Sequence, residues 1–503
     1  MKDNTKINVE EKEITRYTSI YTTVRYISYI FNGLSGLFIA KILGPSLFGV
    51  LSALMLIVLY SNYSHMGLLH AILKKVPFYR GANELNKIEE VKSVGFSVSM
   101  LISFSIGIIL FISSFFLNNI TIETANGLRL ISIIVILQQF FQLTISTFRV
   151  EKKFIKVSVM NLIYSIVRFL LIILLGRYFK LEGVLLASII AYSIIVLYVI
   201  KYEKLGIKLN LDLKKARSLI KIGFLPLIVG ISWVIYTSID KIMILKYLGK
   251  TELGYYSIGI LLMELLVYVP QAIGFILMPY FLERYGQAKE IDKLKPYFIQ
   301  TNIIITHIMP IIIGAVILIM PMLINHILPD YQKSLFVIPT LIITVFFSTL
   351  TSITNVFLIS IDKEKDIIIY QVMTIAIAIG LNWLFISKGY GIYGVAIATL
   401  VTYMLFSYIL NILTLKFLNY TTKEKFSYFL KSHLPFIYIL GILIIIPKTQ
   451  ITLDIGKDII STIIQMSIFA IASSPIIYYL NKKTDLIRLI INYLKGIKNN
   501  KRI

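Results

Sequence analysis

Residues 42–52 read ILGPSLFGVLS and residues 247–257 read YLGKTELGYYS. Laid over one another they share L-G-x4-G-x2-S, with Leu43, Gly44, Gly49 and Ser52 falling on Leu248, Gly249, Gly254 and Ser257 at an offset of 205. A second pair, GVLLASIIAY (183–192) and GVAIATLVTY (394–403), shares G-V-x2-A-[ST]-x3-Y at an offset of 211. In the same register Val150-Glu151-Lys152 lies opposite Ile361-Asp362-Lys363. Three matches at nearly one spacing indicate an internal duplication, and the spacing decides the fold because of what lies between the copies.

The segments between and around the motifs are apolar. Of the 503 residues, 57% are hydrophobic, mean hydropathy is +0.81, and runs of about twenty apolar residues, the length a spanning helix requires, recur from end to end. Fourteen segments are expected, near 18–40, 47–73, 93–117, 127–148, 155–177, 183–201, 219–246, 253–282, 297–325, 334–360, 366–386, 391–415, 427–447 and 459–480. The offset spans six of them, an even number, so the two copies have the same orientation and form a parallel repeat about an axis along the membrane normal. The expected fold is an all-α polytopic membrane protein. A cytoplasmic arm (1–17) leads to a six-helix lobe (18–201), a basic linker (202–218) and a second six-helix lobe (219–416). Helices 13 and 14 (427–480) and a basic amphipathic tail (481–503) follow.

Charge orients the chain. With the N-terminus inside, 33 of the 50 Lys and Arg fall in cytoplasmic connections and the tail, against 10 in outer connections. That bias follows the positive-inside rule and puts both termini in the cytoplasm, in a cell inner membrane. The net charge of +24 is thereby explained by topology and by attraction to anionic lipids rather than by nucleic acid. The tail interleaves Leu486, Ile487, Ile490, Leu494 and Ile497 with basic residues, as a helix lying in the interface does. The first fifteen residues carry no signal-peptide pattern. Cysteine is absent and five histidines are scattered, which excludes disulfides and thiolate sites; no P-loop and no D-x-D motif occurs, so neither ATP hydrolysis nor glycosyl transfer has its usual residues.

The stretches KILGPSLFGVLSALMLIVLYSNYSHMGLLHAILKKVPFYRG (41–81), KIGFLPLIVGISW (221–233) and SIDKIMILKYLGKTELGYYSIG (238–259) resemble the polysaccharide transporter branch of the multidrug/oligosaccharidyl-lipid/polysaccharide exporter superfamily. The resemblance covers the first twelve segments. It implies a transporter, not an enzyme, that flips polyprenyl-diphosphate-linked oligosaccharides, such as O-antigen or capsule repeat units, between leaflets by alternating access. Polysaccharide polymerase and chain-length proteins are then candidate partners. A multidrug exporter or an exporter of another lipid-linked cargo is the nearest alternative, and a membrane glycosyltransferase or polymerase a more distant one.

An anionic headgroup of that kind needs a wet, cationic path between the lobes, and polar stripes mark it. Thr18, Tyr21, Thr22, Arg25, Ser28, Tyr29, Asn32 and Ser35 share one face of the first segment. The fifth carries Ser158, Asn161, Tyr164, Ser165 and Arg168; Ser257, Glu264, Tyr268 and Gln271, then Thr344, Ser348, Ser352 and Asn355, then Gln371, Thr374 and Asn382 follow. Ser, Thr and Asn also serve as packing glue between helices, so the ionisable residues weigh most. Arg25, Arg168 and Lys241 are the candidate substrate cations, with Tyr29, Asn32, Asn355 and Asn382 as polar partners. Asp240, in WVIYTSIDKIMILKYLG (233–249), is expected to pair with Arg25 or Arg168 or to bind a coupling cation; Glu264 is a second ion-coupling candidate. No cofactor is expected beyond Na+ or H+ coupling, and His65 and His307 are expected to make polar helix contacts.

Overall fold

The computed structural model describes residues 2–117, 121–203, 207–288, 290–446 and 459–484; side chains are described from Val24 onward. Every long element is an α-helix. In chain order they are α1 (Lys2–Ser61), α2 (Leu68–Gly81), α3 (Leu85–Phe116), α4 (Ile122–Val150), α5 (Phe154–Tyr202), α6 (Leu213–Tyr247) and α7 (Lys250–Ala288). Then come α8 (Lys295–Ile327), α9 (Ile338–Ser360), α10 (Glu364–Ser387), α11 (Gly391–Phe417), α12 (Thr422–Ile445) and α13 (Ile459–Thr484). The expected amphipathic tail lies, beyond Thr484, outside the described residues.

Among the described residues twelve helices are long and apolar enough to cross a membrane. Two are too long to be single spans: 38 residues of α1 and the 49 of α5 would run roughly 57 and 74 Å straight, against ~30 Å of hydrocarbon. Each is broken inside, α1 at Gly44 and α5 at Lys180. Counting each limb as a span gives the expected fourteen. In α5 the limbs fold back on one another: Arg168 Nε donates to Ser188 Oγ at 3.0 Å and Tyr164 stacks on Tyr192 at 4.4 Å.

The breaks explain the repeat. Gly44 (φ 68°) and Gly249 (φ 91°) both take the left-handed conformation that glycine enters without a Cβ penalty. Lys180 (φ 45°) has Gly391 (φ 57°) opposite it at the offset of 211. At the α4–α5 and α9–α10 turns the left-handed residues are Lys152 and Asp362, both at φ 60°. Their bonds match too, Lys153 N–H to Phe148 O and Lys363 N–H to Leu358 O. The offset there is 210, so Lys152 sits opposite Asp362 and not Lys363, and it returns to 211 by Lys180 and Gly391, after the first limb of α5.

The chain divides into two compact units, Met1–Ser257 and Ile258–Ile503. In the first, α6 and the start of α7 pack along the second span at glycines. A Cβ on Gly49 would lie 1.7 Å from the Lys250 carbonyl oxygen, and one on Gly254 1.8 Å from that of Pro45. The two conserved-spacing glycines of the L-G-x4-G motif therefore let the two copies of the motif cross backbone to backbone. Farther along, Tyr60 Oη and Ser238 Oγ share a 2.8 Å hydrogen bond and Gly67 abuts Gly223.

The second span, expected as one continuous segment, is interrupted between Ser61 and Leu68. Met66 and Gly67 are left-handed there, and Gly67 N–H donates to His65 Nδ1 at 3.0 Å. His65 thus caps a helix break. Below it Leu68, Ile72, Val76, Val91, Val94, Leu143 and Leu219 form a buried apolar core. In the second unit a smaller cluster of Leu318, Ile439, Phe469 and Ile476 joins α8, α12 and α13.

Candidate functional site

Within the first unit α1, α4 and α5 enclose a cavity of about 250 Å³. Helix α1 contributes Arg25, Ser28, Tyr29 and Asn32, one polar face at steps of three and four. Arg25 Nε donates to Tyr29 Oη one turn on, and its guanidinium lies over the same ring at 5.4 Å from the centroid. Ser28 is 5% exposed, and among the described residues its hydroxyl has no hydrogen-bond partner. From α4 come Gln142 and Arg149, two turns apart; Arg149 is exposed in the last turn. Helix α5 adds Ser158, Asn161 and Ser165, and the stacked Tyr164–Tyr192 pair closes one wall.

Among the described residues the charged lining is two arginines, with no carboxylate. The nearest acid in sequence, Glu151, is turned to other work, receiving Lys92 and Lys153 at 2.6 Å each. Burial pushes the Glu151 carboxyl up, but those two ammonium groups outweigh it and hold the carboxyl below the ordinary glutamate range. What the cavity offers is therefore charged donors, amide and hydroxyl groups, and two aromatic faces, a set suited to an anion bearing hydroxyls.

Arg25, Tyr29 and Asn32, expected along one path, are brought together here. Arg168 lies two turns beyond Asn161 and is bonded to Ser188 rather than lining the cavity. Asp240, 5% exposed on α6, accepts from Tyr256 Oη at 2.6 Å and from the Lys241 backbone N–H at 2.7 Å. Among the described residues neither arginine is its hydrogen-bond partner; Tyr256, from the second motif copy, takes that place, and Lys241 is half-buried. Glu264, Asn355 and Asn382 belong to the second unit: Glu264 is exposed, while both asparagines hold a buried amide oxygen with no partner among the described residues.

Sequence reasoning missed Arg149, Gln142 and Tyr192. Arg149 reads as one more inside-loop charge, and only its seven-residue spacing from Gln142 hinted that both face α1.

A family model described as polysaccharide biosynthesis protein matches residues 38–331. The chain belongs to that family. No curated protein matches the chain in sequence. Among solved structures, the lipid II flippase MurJ in an inward closed conformation is 15% identical, covers 93% of this chain and 99% of its own, and has a TM-score of 0.68. An inward-facing multidrug resistance MATE family transporter of the MOP superfamily is 13% identical over 78% and 94% of the two chains, with a TM-score of 0.62. A MOP superfamily transporter from Pyrococcus furiosus, described as having a binding pocket of reverse polarity, is 13% identical over 81% and 96%, with a TM-score of 0.57. At such identities the likeness shows a shared fold, and the family match agrees with the expected polysaccharide branch.

Proposed function

We propose that this protein is a transporter that flips polyprenyl-diphosphate-linked oligosaccharide repeat units across the cell membrane for surface polysaccharide synthesis, with no catalytic step of its own. The observation that carries the reading is a cavity that sets Arg25 and Arg149 beside the amide groups of Asn32, Asn161 and Gln142 in a member of a polysaccharide biosynthesis family. A diphosphate between sugar and polyprenol is anionic at neutral pH, and guanidinium forks bind phosphate oxygens bidentately. A cationic drug would meet like charge there, which disfavours the multidrug alternative despite the fold shared with MATE transporters. At about 250 Å³ the cavity is below the ~300–1,000 Å³ of drug-sized sites, so it takes the phosphosugar end of the cargo and leaves the rest outside.

In this reading Arg25 and Arg149 hold the diphosphate, Tyr29, Asn32, Asn161 and Gln142 meet sugar hydroxyls, and Arg168 and Lys241 bear cationic surface farther along the path. Asn355 and Asn382 offer acceptors on the second unit, Asp240 is the coupling carboxylate for Na+ or H+, and Glu264 is secondary to it. Both termini face the cytoplasm, and loading takes place from the inner leaflet. O-antigen or capsule units are the expected cargo, passed on to a polymerase and its chain-length protein.

The test is reconstitution in proteoliposomes with a fluorescent polyprenyl-diphosphate disaccharide, following its arrival in the outer leaflet. Wild-type protein should move it, and Arg25→Leu with Arg149→Leu should not. Equal rates for wild type and the double variant, both correctly inserted, would remove the cationic cavity from the mechanism.

A further inference from the structure

Residues 207–212, leading into α6, are extended, and their side chains divide sharply. Ile207 packs against the apolar core of the first unit, and the backbone N–H groups of Lys208 and Asn210 donate to Ser93 Oγ (3.1 Å) and Ser97 Oγ (3.0 Å) of α3. Asn210 Oδ1 accepts from the Asp212 N–H, and Asp212 caps α6 by accepting from the Lys215 N–H. The Lys208 and Asn210 backbone groups thus tie the segment to α3. Leu209, Leu211 and Leu213 point the other way and are 85%, 45% and 68% exposed. Three leucines at alternate positions on an ordered strap are not the random scatter of single apolar residues that a surface tolerates.

The surroundings say what covers them. Lys208, Lys214 and Arg217 are exposed and make no ion pair among the described residues, and Lys215 beside them is paired with Glu90. The strap lies against Ser93 and Ser97, eight and twelve residues into α3, or about 12–18 Å along it, where that helix turns from polar to apolar. An apolar row with a cationic fringe at the start of the spanning segments matches an anionic lipid surface: leucines among the acyl chains, lysines and arginine at the headgroups.

We propose that residues 207–217 form an interfacial anchor seated in the anionic leaflet, a lipid-binding surface separate from the transport cavity. The chain has no cysteine, so single cysteines at Leu209, Asn210, Leu211 and Leu213 can each carry an environment-sensitive fluorophore in the full-length protein held in lipid nanodiscs. Labels at 209, 211 and 213 should be blue-shifted and quenched by nitroxide lipids several-fold more than a label at 210. Their shielding from aqueous iodide should be stronger in phosphatidylglycerol discs than in phosphatidylcholine discs. Lys208→Gln, Lys214→Gln and Arg217→Gln together should abolish that lipid dependence while leaving flipping of the labelled cargo measurable. Aqueous quenching of 209 and 211 as strong as that of free dye in both lipids would overturn the proposal. So would shielding that is identical in the two lipids and unaffected by the triple substitution, since that would mark a face covered by something uncharged.

Discussion

The two copies of the repeat share a frame and differ in charge. Arg25, Arg149 and Arg168 of the first copy have Gly230, Ile359 and Ala378 at the matching positions of the second, using the offset of 205 for the first and 210 for the others. Asn161 and Tyr164 become Gln371 and Thr374, both buried. The second unit has a cavity of about 390 Å³ between α8, α12 and α13, walled by Leu434, Pro435, Tyr438, Pro475 and Tyr479, with Lys431 the one lysine or arginine of its lining among the described residues. Duplication thus supplied the breaks, the left-handed turns and the glycine crossing, while Arg25, Arg149 and Arg168 have no arginine counterpart in the second copy. The frame is what both copies need to fold; in the function proposed above, the charge is what the cargo needs, and it sits in the first copy.

Removing that asymmetry should have the largest effect. A hydrogen bond to a charged group is worth about 1.5–3 kcal/mol, so Arg25→Leu and Arg149→Leu should each reduce cargo flipping by roughly tenfold or more, 1.4 kcal/mol being a tenfold change. Lysine at either position should restore part of the rate, keeping charge but losing the fork. Ile359→Arg, at the position that matches Arg149 in the second copy, should restore none. Recovery of flipping by Ile359→Arg in an Arg149→Leu background would mean that the copies are interchangeable and the comparison mistaken.

The next effect concerns the frame. Gly254→Val must displace the Pro45 carbonyl that lies 1.8 Å from its Cβ position, whereas Gly249→Ala meets no atom within 4 Å and only strains a positive φ. Overpacking costs about 1–3 kcal/mol and often more where backbone must move, and one strained residue is at the low end of about 1–3 kcal/mol. Thermal unfolding in nanodiscs should therefore rank Gly254→Val well below Gly249→Ala; the reverse order would show that the crossing is not a tight contact.

Much of this frame was legible beforehand because it is written in residues with one physical use: twenty-residue apolar runs and glycines at a fixed spacing. The break at Asn62–Gly67 was not, since an apolar run interrupted by Ser61, Ser64 and His65 looks the same whether the helix continues or stops. It took Gly223, 156 positions away, to force Gly67 aside. The cavity was half legible: Arg25, Tyr29 and Asn32 share a helical face, but Arg149 and Tyr192 reach it only through the packing of α4 and the return limb of α5. Asp240 was rightly singled out as a buried charge, yet its partner Tyr256 belongs to the repeat motif and was read only as a repeat position. Asp240→Asn should abolish any acceleration by an imposed Na+ or H+ gradient while changing cargo affinity by less than about twofold, because its contacts lie outside the arginine cavity; an unchanged gradient response would leave Asp240 a structural residue.

The smallest effect separates the turns that join equivalent helices. Between α4 and α5 Glu151 is clamped by Lys92 and Lys153, whereas the matching position between α9 and α10 is Ile361, 3% exposed and apolar. One copy closes this turn by charge and the other by burial. The Glu151 carboxyl is held below its ordinary range in the folded protein, so the folded state binds that proton less readily than the unfolded chain. Its stabilisation is present above the unfolded pKa and is lost as pH falls through the folded one. Because Lys153 is partly exposed, the net effect is modest, about 1 kcal/mol, or roughly 2–4 °C in Tm for a unit of this size. Glu151→Gln should lower Tm by about that amount at pH 7 and flatten its fall toward pH 4, measured in nanodiscs by intrinsic fluorescence. Ile361→Val should shift Tm equally at both pH values. If Glu151→Gln left the acid slope intact, the turn would be held by its left-handed Lys152 and its backbone bonds alone, and the two copies would close it by the same means after all.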